Sequence, residues 1–323
     1  MLGDLAALAG ALAWAVNSVL IRSQSARIGA LSLNAIQYLA ATLPFLFLLP
    51  FTSTFEALAR IPPLLMAALL GTALISMVGG DTVYVRSLRL IGVSKAFPIA
   101  MCSYPLMSSF VAIVFLGEPF TWYFAIGAAL VLSGLFSLSP RHHSPRSNDA
   151  LAGATTAEPH EDSDAQPTER SWRRGVAVYF RNSQTQGLVC ALAAAVCWAT
   201  AVLTLKFVLV EVDAFTSTAI RVPVAALILL PLASWRDRGL RVVRQGPRSL
   251  AIVGAAGIVG VALGTVLFMV AIQNAGAARA TILFATSPLF ALVLSFLFLK
   301  EPVTWRTIAG TMVSVAGICL VIL

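Results

Sequence analysis

Asp81 lies inside an apolar run, directly behind Gly79-Gly80, in a chain of 323 residues of which only 11% are charged. A charge at the centre of a lipid-depth helix costs about 2.5–3.5 kcal/mol on insertion scales, so it persists where it handles an ion or ligand or where a partner neutralises it. Two readings of Asp81 stay open. It is a proton or substrate site, approached closely across the two glycines, or it makes a structural hydrogen bond or ion pair, with Arg221 as a candidate partner. Gln37 and Arg221 stand at matching positions a few residues into their own apolar runs. The Arg221 guanidinium matches planar anions with paired donors, or it snorkels to the interface from near its helix start. Asn17, three residues after Trp14, sets an amide beside an aromatic, and Trp198 is the aromatic at the corresponding place in the second half. Such residues suit a ligand wall, or the tryptophans anchor at the interface. Tyr84, Tyr104, Asn274, Thr286 and Ser287 extend the same set.

Pro105 and Pro288 fall deep in two apolar runs, where proline removes a backbone hydrogen bond and frees the carbonyl one turn earlier. They read as kinks that line a site or as static bends around it. Lys95 and Arg279 open the same two runs at matching positions, facing an anion or the membrane interface. Glu118 and Glu301 each stand before a proline and the next apolar run, so each carboxylate is expected to cap the helix that follows it. Gly127 with Gly134, and Gly310 with Gly317, are seven apart and share a helix face. They suit close packing between two halves of the chain or between two protomers of a homodimer.

Enzymatic chemistry finds no matching set of residues. Gly-x-x-x-x-Gly-Lys-Ser/Thr does not occur, which excludes a Walker-type ATPase. An aspartyl dyad would need a second intramembrane acid beside Asp81. Gly92-x-Ser94-x-Ala96 has no membrane histidine to activate its serine. Gly254, Gly257, Gly260 and Gly264 do not form a dinucleotide fingerprint, and no strand precedes them. The cysteines Cys102, Cys190, Cys197 and Cys319 lie in apolar stretches without Cys-x-x-Cys spacing and read as small packing residues. His142-His143 sit in a polar segment and read as solvated, so neither metal nor cofactor is expected.

The elements that must position these residues follow from composition. Hydrophobic residues make up 59% of the chain, and the mean hydropathy is +0.88. The net charge of +8 is confined to short basic clusters between apolar runs, where it orients a membrane protein instead of forming a phosphate-binding face. Nucleic acid is therefore excluded as a partner. A hydrocarbon core of about 30 Å needs about 20 apolar residues per helix. Ten such runs are expected, near 4–22, 32–50, 62–87, 93–116, 120–139, 186–208, 215–235, 249–273, 277–299 and 304–323. Residues 140–185 interleave charge with Ser, Thr and Pro, too polar to repay ordering, and are read as a disordered linker.

The two sides of that linker repeat. Shifted by 184, Ala13-Trp14-Ala15 falls on Cys197-Trp198-Ala199, Gln37 on Arg221 and Lys95 on Arg279. After a one-residue gap Tyr104-Pro105-Leu106 meets Ser287-Pro288-Leu289, and Gly117-Glu118-Pro119 meets Lys300-Glu301-Pro302. Five helices per unit force the copies into opposite orientations, and the charges agree. Arg22, Arg27, Arg86, Arg89 and Lys95 follow helices one and three, whereas Arg236, Arg238, Arg241, Arg244, Arg248, Lys300 and Arg306 occupy the other set of loops in the second half. The expected fold is an all-α membrane protein of ten transmembrane helices in two inverted five-helix repeats, 1–139 and 186–323.

With Leu-Gly-Glu-Pro-x-Thr-Trp at 116–122 and Leu-Lys-Glu-Pro-x-Thr-Trp at 299–305, each after a Pro-Leu helix and before a glycine-bearing one, the chain resembles the EamA family of the drug/metabolite transporter superfamily. The resemblance covers all ten runs. It implies a secondary carrier in a bacterial-type cell membrane, moving a small-molecule substrate through a central cavity built mainly from the first four helices of each half. The alternative is a membrane interaction or sensor protein without transport, in which the linker is the working part. The positive-inside rule puts both termini outside the cell, whereas the resemblance implies cytoplasmic termini.

Overall fold

The computed structural model describes residues 1–48, 51, 60–116, 121–138, 183–236, 246–275, 280 and 283–322. Among these there is no strand. The helices are α1 (Leu2–Gln24), α2 (Ala30–Leu48), α3 (Pro63–Thr72, Ala73–Gly80 and Asp81–Ile91 in continuous succession), α4 (Val93–Leu116) and α5 (Trp122–Leu138). After the linker come α6 (Ser183–Val208), α7 (Ala214–Arg236), α8 (Pro247–Ala256, Gly257–Gly264 and Thr265–Ala275 in succession), α9 (Ser287–Leu294 running into Ser295–Leu299) and α10 (Trp305–Ile322). Helix α6 starts three residues ahead of the expected boundary, and the rest of the linker lies outside the described residues. By length and apolarity α1, α2, α3, α6, α7 and α8 contain candidate membrane spans, and α5, α9 and α10 are apolar but shorter. Their outer faces carry exposed large hydrophobics such as Leu43, Phe47, Phe136, Leu227 and Phe298, as lipid contact requires.

The repeat has a local structural counterpart. Shifted by 184, the π-helical stretch Ala73–Gly80 of α3 falls on the π-helical stretch Gly257–Gly264 of α8. The residue that follows is Asp81 in one half and Thr265 in the other. π-Helical turns are rare and collect at functional sites because they loosen the ladder and re-aim side chains. Each is glycine-containing, and the glycines serve close packing. A Cβ on Gly80 would stand 3.0 Å from the Cβ of Cys197 and 3.2 Å from the indole of Trp198. Gly80 thus lets α6 approach α3 near Asp81.

The two halves interdigitate. Helix α1 packs on α8 and α9 of the other half, α6 packs on α3 and α4, α2 on α7, and α5 on α10. The principal buried cluster combines Val19, Leu33, Leu88, Phe97 and Ile99 of the first half with Ala191, Trp198, Val253 and Ala291 of the second. In the α5–α10 contact, Gly127 faces Gly317 so closely that a Cβ on either would lie 2.6 Å from the other's carbonyl oxygen. Gly134 meets Gly310 and Ser314 in the same way. Of the two expected uses of these glycines, packing between the halves is the one observed, and a protomer contact would need the same face.

Candidate functional site

A cavity of about 220 Å³ lies where the two halves meet. Its wall takes Trp14 from α1, Tyr38 from α2, Ser76 and Asp81 from α3, Tyr104 from α4, Trp198 from α6, Arg221 from α7 and Thr265 from α8. Phe284, just before α9, and Phe268 of α8 add an aromatic pair with centroids 4.6 Å apart. Five expected residues are therefore brought together here: Trp14, Asp81, Tyr104, Trp198 and Arg221.

Asp81 follows the π-helical stretch and is buried. Tyr38 donates its hydroxyl to Oδ2, and Trp198 donates its indole N–H to Oδ1 at 2.7 Å. Two neutral donors from α2 and α6 thus fix the carboxylate, which is how a buried ion is kept at tolerable cost. The expected direct pair with Arg221 does not form. Among the described residues, the ion pairs within 4.0 Å are Met1 with Asp4 and Arg22 with Glu301. Arg221 instead donates from Nη2 to Ser76 Oγ at 3.1 Å, and its buried Nε has no acceptor. Arg221 is buried, not snorkelling. The cavity therefore presents a carboxylate on one wall and a guanidinium with an unused donor on another, with aromatic rings between them.

Asn17, Gln37 and Tyr84 lie outside the cavity wall. They line a second, smaller pocket beside it, which shares Trp14 and Asp81 with the cavity. Tyr84 is fixed there by Ser18, hydroxyl to hydroxyl at 3.0 Å, and by the Trp198 ring at 5.1 Å. Pro105, Ser287 and Pro288 line a third small pocket that shares Met101, Tyr104 and Phe284 with the cavity. The two prolines are not equivalent. Pro105 is inside the continuous helix α4, whereas Pro288 occupies the first turn of α9, after a break at Thr286. At that position the missing N–H would be unbonded in any case, so Pro288 starts a helix and does not kink one.

Two further expectations fail. Asn274 is exposed on α8, and its amide donates to the Val270 carbonyl at 2.8 Å, so it belongs to no part of the cavity. Glu301 does not cap α10. Its carboxylate accepts the backbone N–H groups of Val93 at 3.2 Å and Ser94 at 3.0 Å, the first turn of α4 in the other half, and also Arg22 Nε at 3.2 Å. Lys300, with φ 51°, turns the chain so that the next residue reaches away from its own helix. Lys95, one residue past that cap, is partly exposed and lies outside the cavity wall. Glu118 and Arg279 lie outside the described residues.

Sequence reasoning missed Tyr38, Ser76, Thr265, Phe268 and Phe284. The usable signal was Tyr38 next to Gln37, a hydroxyl in mid-helix that needs a buried partner.

Residues 1–139 and 185–323 match the EamA-like transporter family. The chain belongs to that family. Over its whole length it is 28% identical to an "Uncharacterized transporter" of Archaeoglobus fulgidus, of which the match covers 99%. It is 27% identical over 135 residues to the uncharacterized transporter YvbV of Bacillus subtilis, covering 42% of this chain and 44% of that one. A solved crystal structure shares the fold with a TM-score of 0.60 over 98% of this chain and 95% of its own, at 17% identity. This EamA-like protein is therefore a multi-pass integral membrane transporter of a bacterial-type cell membrane, and not an enzyme.

Proposed function

We propose that this EamA-like protein is a secondary carrier that exports small amphipathic metabolites by alternating access, with its ten helices acting as two inverted halves around the central cavity. The observation that carries this reading is the cavity itself. It is built from the seven helices α1–α4 and α6–α8 of both halves plus the segment before α9, and a relative tilt of the halves would open it to either side. Its wall is mostly aromatic and apolar with two opposed charges, Asp81 and Arg221, which suits a molecule with an apolar body and a polar or charged end. Asp81 is the group at which coupling acts: protonation cancels its charge and releases its two donors, which links substrate movement to a proton gradient.

The test is transport in proteoliposomes against a panel of amino acids, nucleosides, cationic drugs and sugar phosphates, with and without a pH gradient. Asp81→Asn is expected to exchange substrate at equal pH but not to accumulate it against a gradient. Unchanged gradient-driven accumulation in Asp81→Asn would remove the proton role. A folded protein that moves no member of the panel would favour the alternative of a membrane interaction or sensor protein.

A further inference from the structure

One end of the helix bundle gathers the last turns of α1 and α3 and the first turns of α4 and α6, since Gly187 of α6 packs against Leu90 and Ile91 of α3. The opposite end gathers the start of α1 and the end of α8, where Gly3 packs against Ala275, together with the end of α6 and the start of α7. The central cavity reaches toward that second end. On α6 it is lined by Trp198 and, beyond it, by Ala201, Val202 and Leu205, and on α7 by Thr218 and Arg221 near the helix start. Toward the first end the bundle is filled instead. Ser18 and Ile21 of α1, Leu88 of α3, and Val93 and Phe97 of α4 are all buried there.

The filled end is also the latched one. Glu301, in the turn between α9 and α10, accepts the N–H groups of Val93 and Ser94 and the Arg22 Nε. All three donors belong to the first half and the acceptor to the second. The backbone bends sharply on both sides of this contact: Lys300, at φ 51°, is the non-glycine residue with positive φ among the described residues, and Gly92 has φ 78°. Backbone held in such regions costs energy and collects at switch segments. Arg22 and Glu301 keep part of their exposure, so water can replace each partner when they separate. The two halves also differ in conformation. Helix α4 runs unbroken through Pro105, whereas the chain breaks at Thr286, before the repeat-related Pro288. A duplicated chain closed at one end only must hold its halves in unequal conformations. The sequence, moreover, carries a base, a glycine and an acid twice in the repeat register, Arg22, Gly92 and Glu301 against Lys206, Gly276 and Glu118. Gly276 and Glu118 lie outside the described residues.

We infer that the Glu301 cap and its Arg22 pair are the gate of this end, made while the cavity faces the other end and broken when the cavity faces this one. The inference rests on the alternating-access reading above. Glu301 lies outside the cavity wall and acts through α1 and α4 as a positioning residue. Removing its charge therefore shifts the balance between the two facings and leaves the cavity wall as it is.

The experiment measures facing without any substrate. Single cysteines are placed by Ser18→Cys, between the cavity and the gate, and by Val202→Cys, on the cavity wall toward the other end, in full-length chains whose native cysteines are alanine. Each chain is held in lipid nanodiscs, and its labelling rate with a water-soluble maleimide is compared with and without Glu301→Gln, which keeps the side chain's shape and removes its charge. The Ser18→Cys site is expected to label about tenfold faster once Glu301 is Gln, and the Val202→Cys site correspondingly slower. Such opposite changes are what a gate produces and a purely structural cap does not. Rates that stay equal in monodisperse protein, or that rise together through general loosening, overturn the proposal. Where Glu301→Gln yields no folded protein, Arg22→Gln decides, because it leaves the cap in place: a severalfold change of opposite sign at the two sites supports the gate, and equal rates overturn it. Because no substrate is present, the outcome is separate from that of the transport test, and a carrier that transports while both rates stay unchanged refutes only the gate.

Discussion

The carboxylate of Glu301 occupies the space where a side chain on Gly92 would stand. A Cβ built on Gly92 would lie 2.6 Å from Oε1 and 2.7 Å from Oε2. Gly92 has φ 78° and ψ 169°, a conformation that is essentially restricted to glycine. The two residues are 209 positions apart, yet one exists as glycine so that the other can reach the N–H groups of Val93 and Ser94. Gly92→Ala is therefore expected to combine backbone strain with displacement of the cap and to cost about 1–3 kcal/mol. Thermal unfolding in detergent measures it; a melting temperature equal to the wild type would show that the approach is not tight.

Glu301 also pairs with Arg22, and the two contacts differ in worth. Arg22 is about a quarter exposed, at 27%, and Glu301 at 11%. A pair at such a partly wet edge contributes about 0–1 kcal/mol, whereas a side chain capping two N–H groups at a helix dipole contributes about 1–2 kcal/mol. Glu301→Ala is expected to lower the unfolding temperature clearly more than Arg22→Ala. Equal losses would mean that the ion pair, not the cap, joins the halves here.

Much of this arrangement was legible in the sequence, because apolar run length and the 184-residue register depend on local composition. The two π-helical stretches were not foreseen, yet they stand in that same register, each ending just before a polar residue, Asp81 or Thr265. Glu301 was misread for a physical reason. A capping carboxylate is recognised from its sequence neighbours, but the N–H groups it meets belong to a helix in the other half. Asn274 was misread because helical phase decides which face an amide occupies, and the irregular turn inserted by Gly257–Gly264 shifts the phase of everything after it in α8. The partners of Asp81 were illegible for the same reason as the cap: Tyr38 and Trp198 come from α2 and α6, chosen by packing and not by spacing.

Trp198→Phe isolates one of those partners. It keeps an aromatic ring beside Tyr84 and Tyr104 but removes the N–H that Asp81 Oδ1 accepts. A hydrogen bond to a buried charged group contributes about 1.5–3 kcal/mol. A loss of that size in unfolding stability is expected together with altered transport. A variant as stable as the wild type would mean that Asp81 is held by Tyr38 alone.

The α5–α10 contact makes a prediction about assembly. Gly127 and Gly317 leave no room for a side chain, so Gly317→Leu must separate two helices that join the halves. Overpacking of this kind costs about 1–3 kcal/mol or more. The expected outcome is lower stability of the single chain. If instead stability is kept and a dimer dissociates on size-exclusion chromatography, the glycine face serves protomer pairing and the intramolecular contact is secondary.

Arg221 is expected to set the cavity's choice of substrate. Its Nη2 is used by Ser76, but its Nε is buried without an acceptor, and an unmade hydrogen bond of a buried charged group costs about 1–3 kcal/mol or more. A substrate carboxylate or phosphate would satisfy that N–H and add a charge-assisted bond, so a preference for anionic ends is expected. Arg221→Lys retains the positive charge but loses the planar fork and the Nε donor. If the guanidinium holds an anion, the variant should raise KM for a carboxylate-bearing substrate about tenfold, equivalent to about 1.4 kcal/mol, and leave the neutral amide analogue of that substrate unaffected. If Arg221 serves only to bond Ser76, both substrates should suffer alike through a loss of stable protein. Measuring the two substrates on one preparation separates these outcomes, because a folding defect scales both rates while a recognition defect changes their ratio.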